Sequence, residues 1–146
     1  NPSMANDARR PHRDNIVADI VRFVETNLTV IPPPLVFITS DSATVNEYIR
    51  DRYGLHRTVS IPGPIIHIDR LPPSHSFEEQ CHGFLKAIAD FYVLGECDML
   101  IVSRSGFSEW ASRRRHLVDP FDHLYLYCQG VHRVTGREWR RPHLVC

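Results

Sequence analysis

The sequence predicts an α/β domain whose mostly parallel sheet is covered by helices on both faces, and three observations predict it. Short, fully apolar runs of strand length recur along the chain, at 35–38 and at 99–102. Segments with the apolar spacing of a helix lie between such runs. The connections are long enough to be crossovers, which parallel strands require. With 146 residues and 42% hydrophobic content the chain suffices for one core and is short for two, so residues 1–146 are expected to form a single domain.

In order along the chain, residues 15–28 set Ile16, Val17, Ile20, Val21, Phe23, Val24 and Leu28 on one helical face. Prolines at 32–34 end that segment, and 35–38 then reads as a strand buried on both faces. A polar turn at 39–42 leads into a helix carrying Val45, Tyr48 and Ile49, with Thr44 and Glu47 in capping-box register and Gly54 as its terminator. The next strand is 58–61, followed by a proline-broken loop with His67, Asp69 and Arg70. Ser76 and Glu79 have the spacing that opens a longer helix, whose Cys81, Phe84, Leu85, Ile88, Phe91 and Tyr92 trace a wide buried stripe ending near Gly95. After it come a fully apolar strand at 99–102, a tight turn at 103–107, a helix at 108–115 and a last strand at 124–128.

Composition removes several function classes. Lysine plus arginine equal aspartate plus glutamate at 17 each, so no overall field draws the chain to nucleic acid or to an anionic membrane. No apolar run approaches the roughly 20 residues that cross a bilayer. The opening residues NPSMANDARRPHRD lack the order of a signal peptide. Cys81, Cys97, Cys128 and Cys146 lack the paired CxxC spacing of a structural zinc site, and no metal is expected. Cys128 and Cys146 either bridge in an oxidising compartment or stay thiols like the other two. Asn27, Leu28 and Thr29 form an N-glycosylation acceptor that matters only in the secretory pathway. Neither a GxGxxG fingerprint nor a Walker lysine occurs.

Sheets of this kind bind ligands beyond the carboxyl ends of their strands. Two turns occupy that place, ITSDSAT at 38–44 and VSRSGFSE at 102–109. Each joins an apolar strand to a helix start, where free amides and the helix dipole favour an anion such as phosphate. In the second turn Gly106 admits close backbone approach, Ser105 and Ser108 supply hydroxyls, and Arg104 adds charge. The plainer reading is that Ser105 or Ser108 caps the helix. Asp41 is either an N-cap or a ligand for a sugar hydroxyl or base edge. Asp90, between Ala89 and Phe91, either faces solvent, as spacing alone suggests, or is a buried carboxylate in need of a partner.

Other polar residues have simpler readings. His67, Asp69, His75 and His82 follow no recognised metal spacing and are expected as ordinary loop or surface groups. Arg113, Arg114, Arg115 and His116 read as a solvated helix end. Cys97, Trp110 and Trp139 are expected to pack.

The stretch ADFYVLGECDMLIVSRSGFSEWA resembles the C-terminal motif of the fucosyltransferase-like glycosyltransferases, which include α1,6-fucosyltransferases and protein O-fucosyltransferases. There an acidic helix leads through a Cys-Asp pair into an apolar strand and a serine-rich turn before phenylalanine. LVFITSDSATVNEYIRDRYG is similar to the family's second motif, and the two together span about half of the chain. The resemblance implies the Rossmann-like C-terminal half of a GT-B enzyme that binds GDP-fucose. In it Asp90 matches a carboxylate that contacts guanine, Ser105, Gly106 and Phe107 match the turn around the diphosphate, and Asp41 matches the acidic position of the second motif. It further implies metal-free, cofactor-free, inverting transfer to a glycan or protein acceptor, in the Golgi or endoplasmic reticulum lumen, with the leaving diphosphate stabilised by hydrogen-bond donors and an arginine. The family's first motif, a histidine followed by an arginine on a strand, has no recognisable counterpart here. A fragment without its acceptor domain, or a relative that keeps the fold without activity, is therefore implied, and the catalytic base is unassigned. The residues alone leave a non-catalytic nucleotide- or protein-binding module as the alternative.

Overall fold

A computed structural model describes residues 13–27, 32–66, 76–117 and 119–139. In chain order they form α1 (Arg13–Asn27), β1 (Val36–Phe37), α2 (Ala43–Tyr53), β2 (Thr58–Val59), α3 (Phe77–Glu96), β3 (Leu100–Val102), α4 (Gly106–Ser112), β4 (Leu124–Tyr127), β5 (Val131–Arg133) and α5 (Gly136–Trp139). The class is mixed α/β. Among the described residues the strands form two small sheets rather than the single sheet anticipated. β1 and β2 make a parallel pair, while β3 runs parallel to β4 and β4 antiparallel to β5.

β5 is a correction to the sequence reading, which ends the strands at 124–128. Its turn is tight, with Gln129 at φ 53° and Gly130 at φ 136°, and the Cys128 amide donates to the Gly130 carbonyl at 2.7 Å. Glycine takes that backbone without strain, and the polar strand it launches has no apolar run to announce it.

Helix termini follow local chemistry unevenly. Ser76 and Glu79 make the anticipated capping box: the Glu79 amide donates to Ser76 Oγ at 3.2 Å and the Ser76 amide to Glu79 Oε2 at 2.8 Å. The box anticipated at Thr44 and Glu47 does not form, because α2 begins at Ala43 behind an extended Ser42 that makes no side-chain cap. Gly54, at φ 78°, does close α2, its amide donating to Arg50 O at 2.8 Å. α4 starts at Gly106, two residues before the anticipated helix.

Two apolar clusters hold the fold. Val21 of α1, Ile38 beyond β1, and Ile49 and Tyr53 of α2 form one, joined by Val17, Val24, Val36 and Val45. Leu94, Leu100, Val102, Ala111, Leu124, Leu126 and Val134 form the other, and Phe37 of β1 packs against it. Alternation along β4 sorts its side chains between two layers. Leu124 and Leu126 join the cluster with α3 and α4, whereas Tyr125 meets the Phe23 ring of α1 at 4.8 Å and Tyr127 donates to Asp19 at 3.2 Å. This sheet is thus helix-covered on both faces. No helix among the described residues is long and apolar enough to cross a membrane.

The anticipated stripe on α3 is overturned in part: Phe91 packs against the cluster that holds Leu94, but the other large side chains turn outward. Phe84, Leu85, Ile88 and Tyr92 are 38–61% exposed, and the buried positions are Gly83, Asp90, Leu94 and Gly95. Small residues let this helix approach its neighbours closely: a Cβ on Gly83 overlaps the Ile66 side chain, and one on Gly95 lies 3.3 Å from the Ala111 carbonyl. Gly83→Ala is expected to destabilise by about 1–2 kcal/mol in urea titration, because overpacking outweighs the better helix propensity of alanine. Unchanged or increased stability would show that Ile66 yields freely.

Candidate functional site

The turn after β1 meets α3 at Asp90, and the first turn of α4 meets it one residue further on, where Phe107 packs on Phe91. Asp90 is 4% exposed, which overturns the solvent-facing reading. Thr39, just past β1, donates its hydroxyl to Asp90 Oδ2 at 3.0 Å, and Lys86, one turn earlier on α3, donates its ammonium to the same oxygen at 2.5 Å. Both donors therefore use one oxygen. Asp90 Oδ1 is buried with no hydrogen-bond partner. A second orphan flanks the same turn: Asn46 of α2 donates through Nδ2 to Ser40 O at 3.5 Å, and its Oδ1 is also buried without a partner. Neither oxygen meets a donor from the protein.

The serine-rich turn reaches the same region through its phenylalanine. Phe107, 36% exposed, meets Phe91 of α3 edge-on at 5.7 Å, next in sequence to Asp90. Gly106 is open, with nothing within 4 Å of where a Cβ would stand. Ser105 sits at the N-cap with an extended backbone but makes no side-chain cap, and Ser108 donates back to the Ser103 carbonyl at 3.0 Å. The simple capping account thus fails for both. The first amides of α4 lack intrahelical acceptors, as in any helix. Arg104 is exposed and makes no ion pair among the described residues. Asp41 is exposed and lies one residue before the N-cap of α2, so it is not the cap. The structure therefore brings Phe107 onto α3 beside Asp90, sets Arg104 and Ser105 on the turn before α4 and Gly106 and Ser108 in its first turn, and leaves Asp41 at the surface.

Thr39, Asn46 and Lys86 were not singled out by the sequence. A readable signal exists only for Lys86, four residues before Asp90 on one helix face.

Arg115 is not solvated: it is 6% exposed and donates to the carbonyls of Cys97, Asp98, Pro120 and Asp122. Arg114 lies 4.0 Å from the Tyr92 ring centroid, and Arg113 pairs with Glu109 at 3.2 Å. Trp110 does not pack inside but is 63% exposed, with the Arg113 guanidinium 5.8 Å from its ring. Cys97 is a free, half-buried thiol, and burial pushes its pKa up against the opposing pull of Arg115. Cys128 is disulfide-bonded, while Cys146 lies outside the described residues. Asn27 is exposed at the end of α1, where its Nδ2 donates to Phe23 O at 2.8 Å. Leu28 and Thr29 of its acceptor triplet, and His67, Asp69 and His75, lie outside the described residues, as does the Trp139 side chain. His82 is exposed, and no metal-holding group of three ligating side chains occurs among the described residues.

Comparison with protein-family models, with curated proteins and with solved structures gave no match for this chain.

Proposed function

We propose that the chain is a nucleotide-sugar-binding module of the fucosyltransferase-like type, with GDP-fucose as donor. The observation that carries the reading is the buried, unpartnered Asp90 Oδ1 beside a turn that also leaves Asn46 Oδ1 without a donor. A guanine edge offers adjacent N–H donors, which is the chemistry those two acceptors lack. The diphosphate then lies at the open turn, against the first amides of α4, the hydroxyls of Ser105 and Ser108 and the charge of Arg104. Donors fixed there stabilise the negative charge that builds on a departing diphosphate during inverting transfer to a glycan or protein acceptor. The scheme requires no metal and belongs in a Golgi or endoplasmic reticulum lumen, where Cys128 is in keeping as a disulfide.

A thermal-shift panel of GDP, GDP-fucose, UDP and ADP tests this. The two guanine ligands are expected to raise Tm by about 6 °C at a hundredfold excess over Kd, with UDP and ADP far behind. Asp90→Asn is expected to erase the guanine preference. Equal shifts with all four, or none, remove the reading.

One observation favours a non-catalytic protein-binding module instead: the apolar side chains that α3 leaves exposed, together with Trp110. That reading expects no response to any of the four nucleotides.

A further inference from the structure

A second site lies at the opposite, amino-terminal ends of β1 and β2. A cleft of 410 Å³ opens there between α1, α2 and the prolines before β1, a volume suited to a small organic ligand. Val24, Pro33 and Pro34 give it apolar walls. Its polar lining is two arginines, one glutamate and one tyrosine, Arg52, Arg57, Glu25 and Tyr53.

The two arginines are in different states. Arg52 is saturated in the side-on fork, with Nε donating to Glu25 Oε1 at 2.7 Å and Nη2 to Oε2 at 2.9 Å. Arg57 has the same fork with nothing in it. Its Nε is buried without an acceptor, it makes no ion pair among the described residues, and its guanidinium rests 5.4 Å from the Tyr53 ring centroid. Tyr53 is 8% exposed, and its hydroxyl is likewise buried without a partner. Burial foremost, and the nearby Glu25 carboxylate next, push that hydroxyl's pKa up, so it remains a neutral donor. The residues that line the cleft thus carry one positive charge without an ion pair and two buried donors without an acceptor, beside apolar walls.

The geometry points to a binding site for a small organic carboxylate, held by the Arg57 fork as Glu25 is held by Arg52, with the Tyr53 hydroxyl as third donor and the carbon body against Val24, Pro33 and Pro34. Planar side-on pairing of carboxylate with guanidinium is a strong charge-assisted arrangement. Phosphate can satisfy the same donors, so the test has an arm for each anion.

The probes are sodium benzoate and inorganic phosphate, titrated into the ¹⁵N-labelled chain while the arginine Nε–H resonances are followed. A saturable shift of the Arg57 signal with benzoate is expected. Arg57→Lys, which keeps the charge and loses the fork, is expected to weaken binding at least about tenfold. Tyr53→Phe deletes only a hydroxyl that bonds nothing, so it is expected to weaken binding while leaving unfolding stability equal or higher. Benzoate binding unaffected by both substitutions, or no saturable shift at all, overturns the site. Saturation by phosphate with benzoate inert overturns the carboxylate assignment.

Discussion

Arg115→Ala is expected to remove about 4 kcal/mol of stability and to lower Tm by about 10 °C. The guanidinium joins two segments distant in sequence. Through Nη2 it donates to Cys97 O at 3.3 Å and Asp98 O at 2.5 Å, ahead of β3, and through Nη1 to Pro120 O at 3.2 Å and Asp122 O at 2.7 Å, ahead of β4. β3 and β4 are the parallel pair of the main sheet, so this one side chain clamps the loops that feed its two strands in register. Truncation leaves four carbonyls to find water inside a site that is 6% exposed, and a buried acceptor without a donor costs about 1–3 kcal/mol. Arg115→Lys is expected to recover less than half of the loss, because an ammonium does not span four acceptors with a planar fork. Urea denaturation measures both. A loss under about 1 kcal/mol for the alanine variant would show that these loops hold themselves.

The alternation of strand and helix was legible because it rests on short-range signals: apolar runs, helical spacing, prolines and glycines. Gly54 and the Ser76–Glu79 box are where such signals acted alone. What the sequence could not show was which face of a helix meets the sheet. On α3 the larger side chains look like the core face, yet Gly83 and Gly95 are buried because a close approach leaves no room for anything larger. The same inversion hid the nature of Arg115, which looks like one member of a solvated basic run and instead donates through both terminal nitrogens to carbonyls of a remote loop and of the loop that follows it, with its Nε buried and unpartnered. At the candidate site the two turns were legible as strand-to-helix junctions. The partners of Asp90 were less so, since Thr39 is 51 residues away along the chain. Asp41 was the natural choice in the first turn by chemistry, yet it is exposed and the inward contact falls to Thr39.

Lys86 and Asp90 give the test that separates a structural pair from a functional one. Their side chains are only 10% and 6% exposed, so both charges bear a desolvation cost that their mutual attraction offsets incompletely. The order along the helix, lysine before aspartate, is also the weaker one for an i,i+4 pair against the helix dipole. Folding alone therefore gains little from this arrangement. Asp90→Leu is expected to cost about 3–5 kcal/mol, because it strands a buried ammonium, and Lys86→Met is expected to cost a similar amount by leaving the carboxylate with Thr39 alone. The double variant Lys86→Met, Asp90→Leu is expected to regain wild-type stability or exceed it, since both charges and the orphaned Oδ1 leave together. Its response to GDP is expected to be absent. Urea denaturation of the four proteins closes the double-mutant cycle, and thermal shift with GDP reads the ligand on the stable double variant. A double variant no more stable than either single one would make the pair a structural brace, and losses that simply add would show that the two charges act independently. Recovery of stability with loss of the nucleotide response would mean that the carboxylate is held for something other than the fold, with its second oxygen kept for a ligand's N–H.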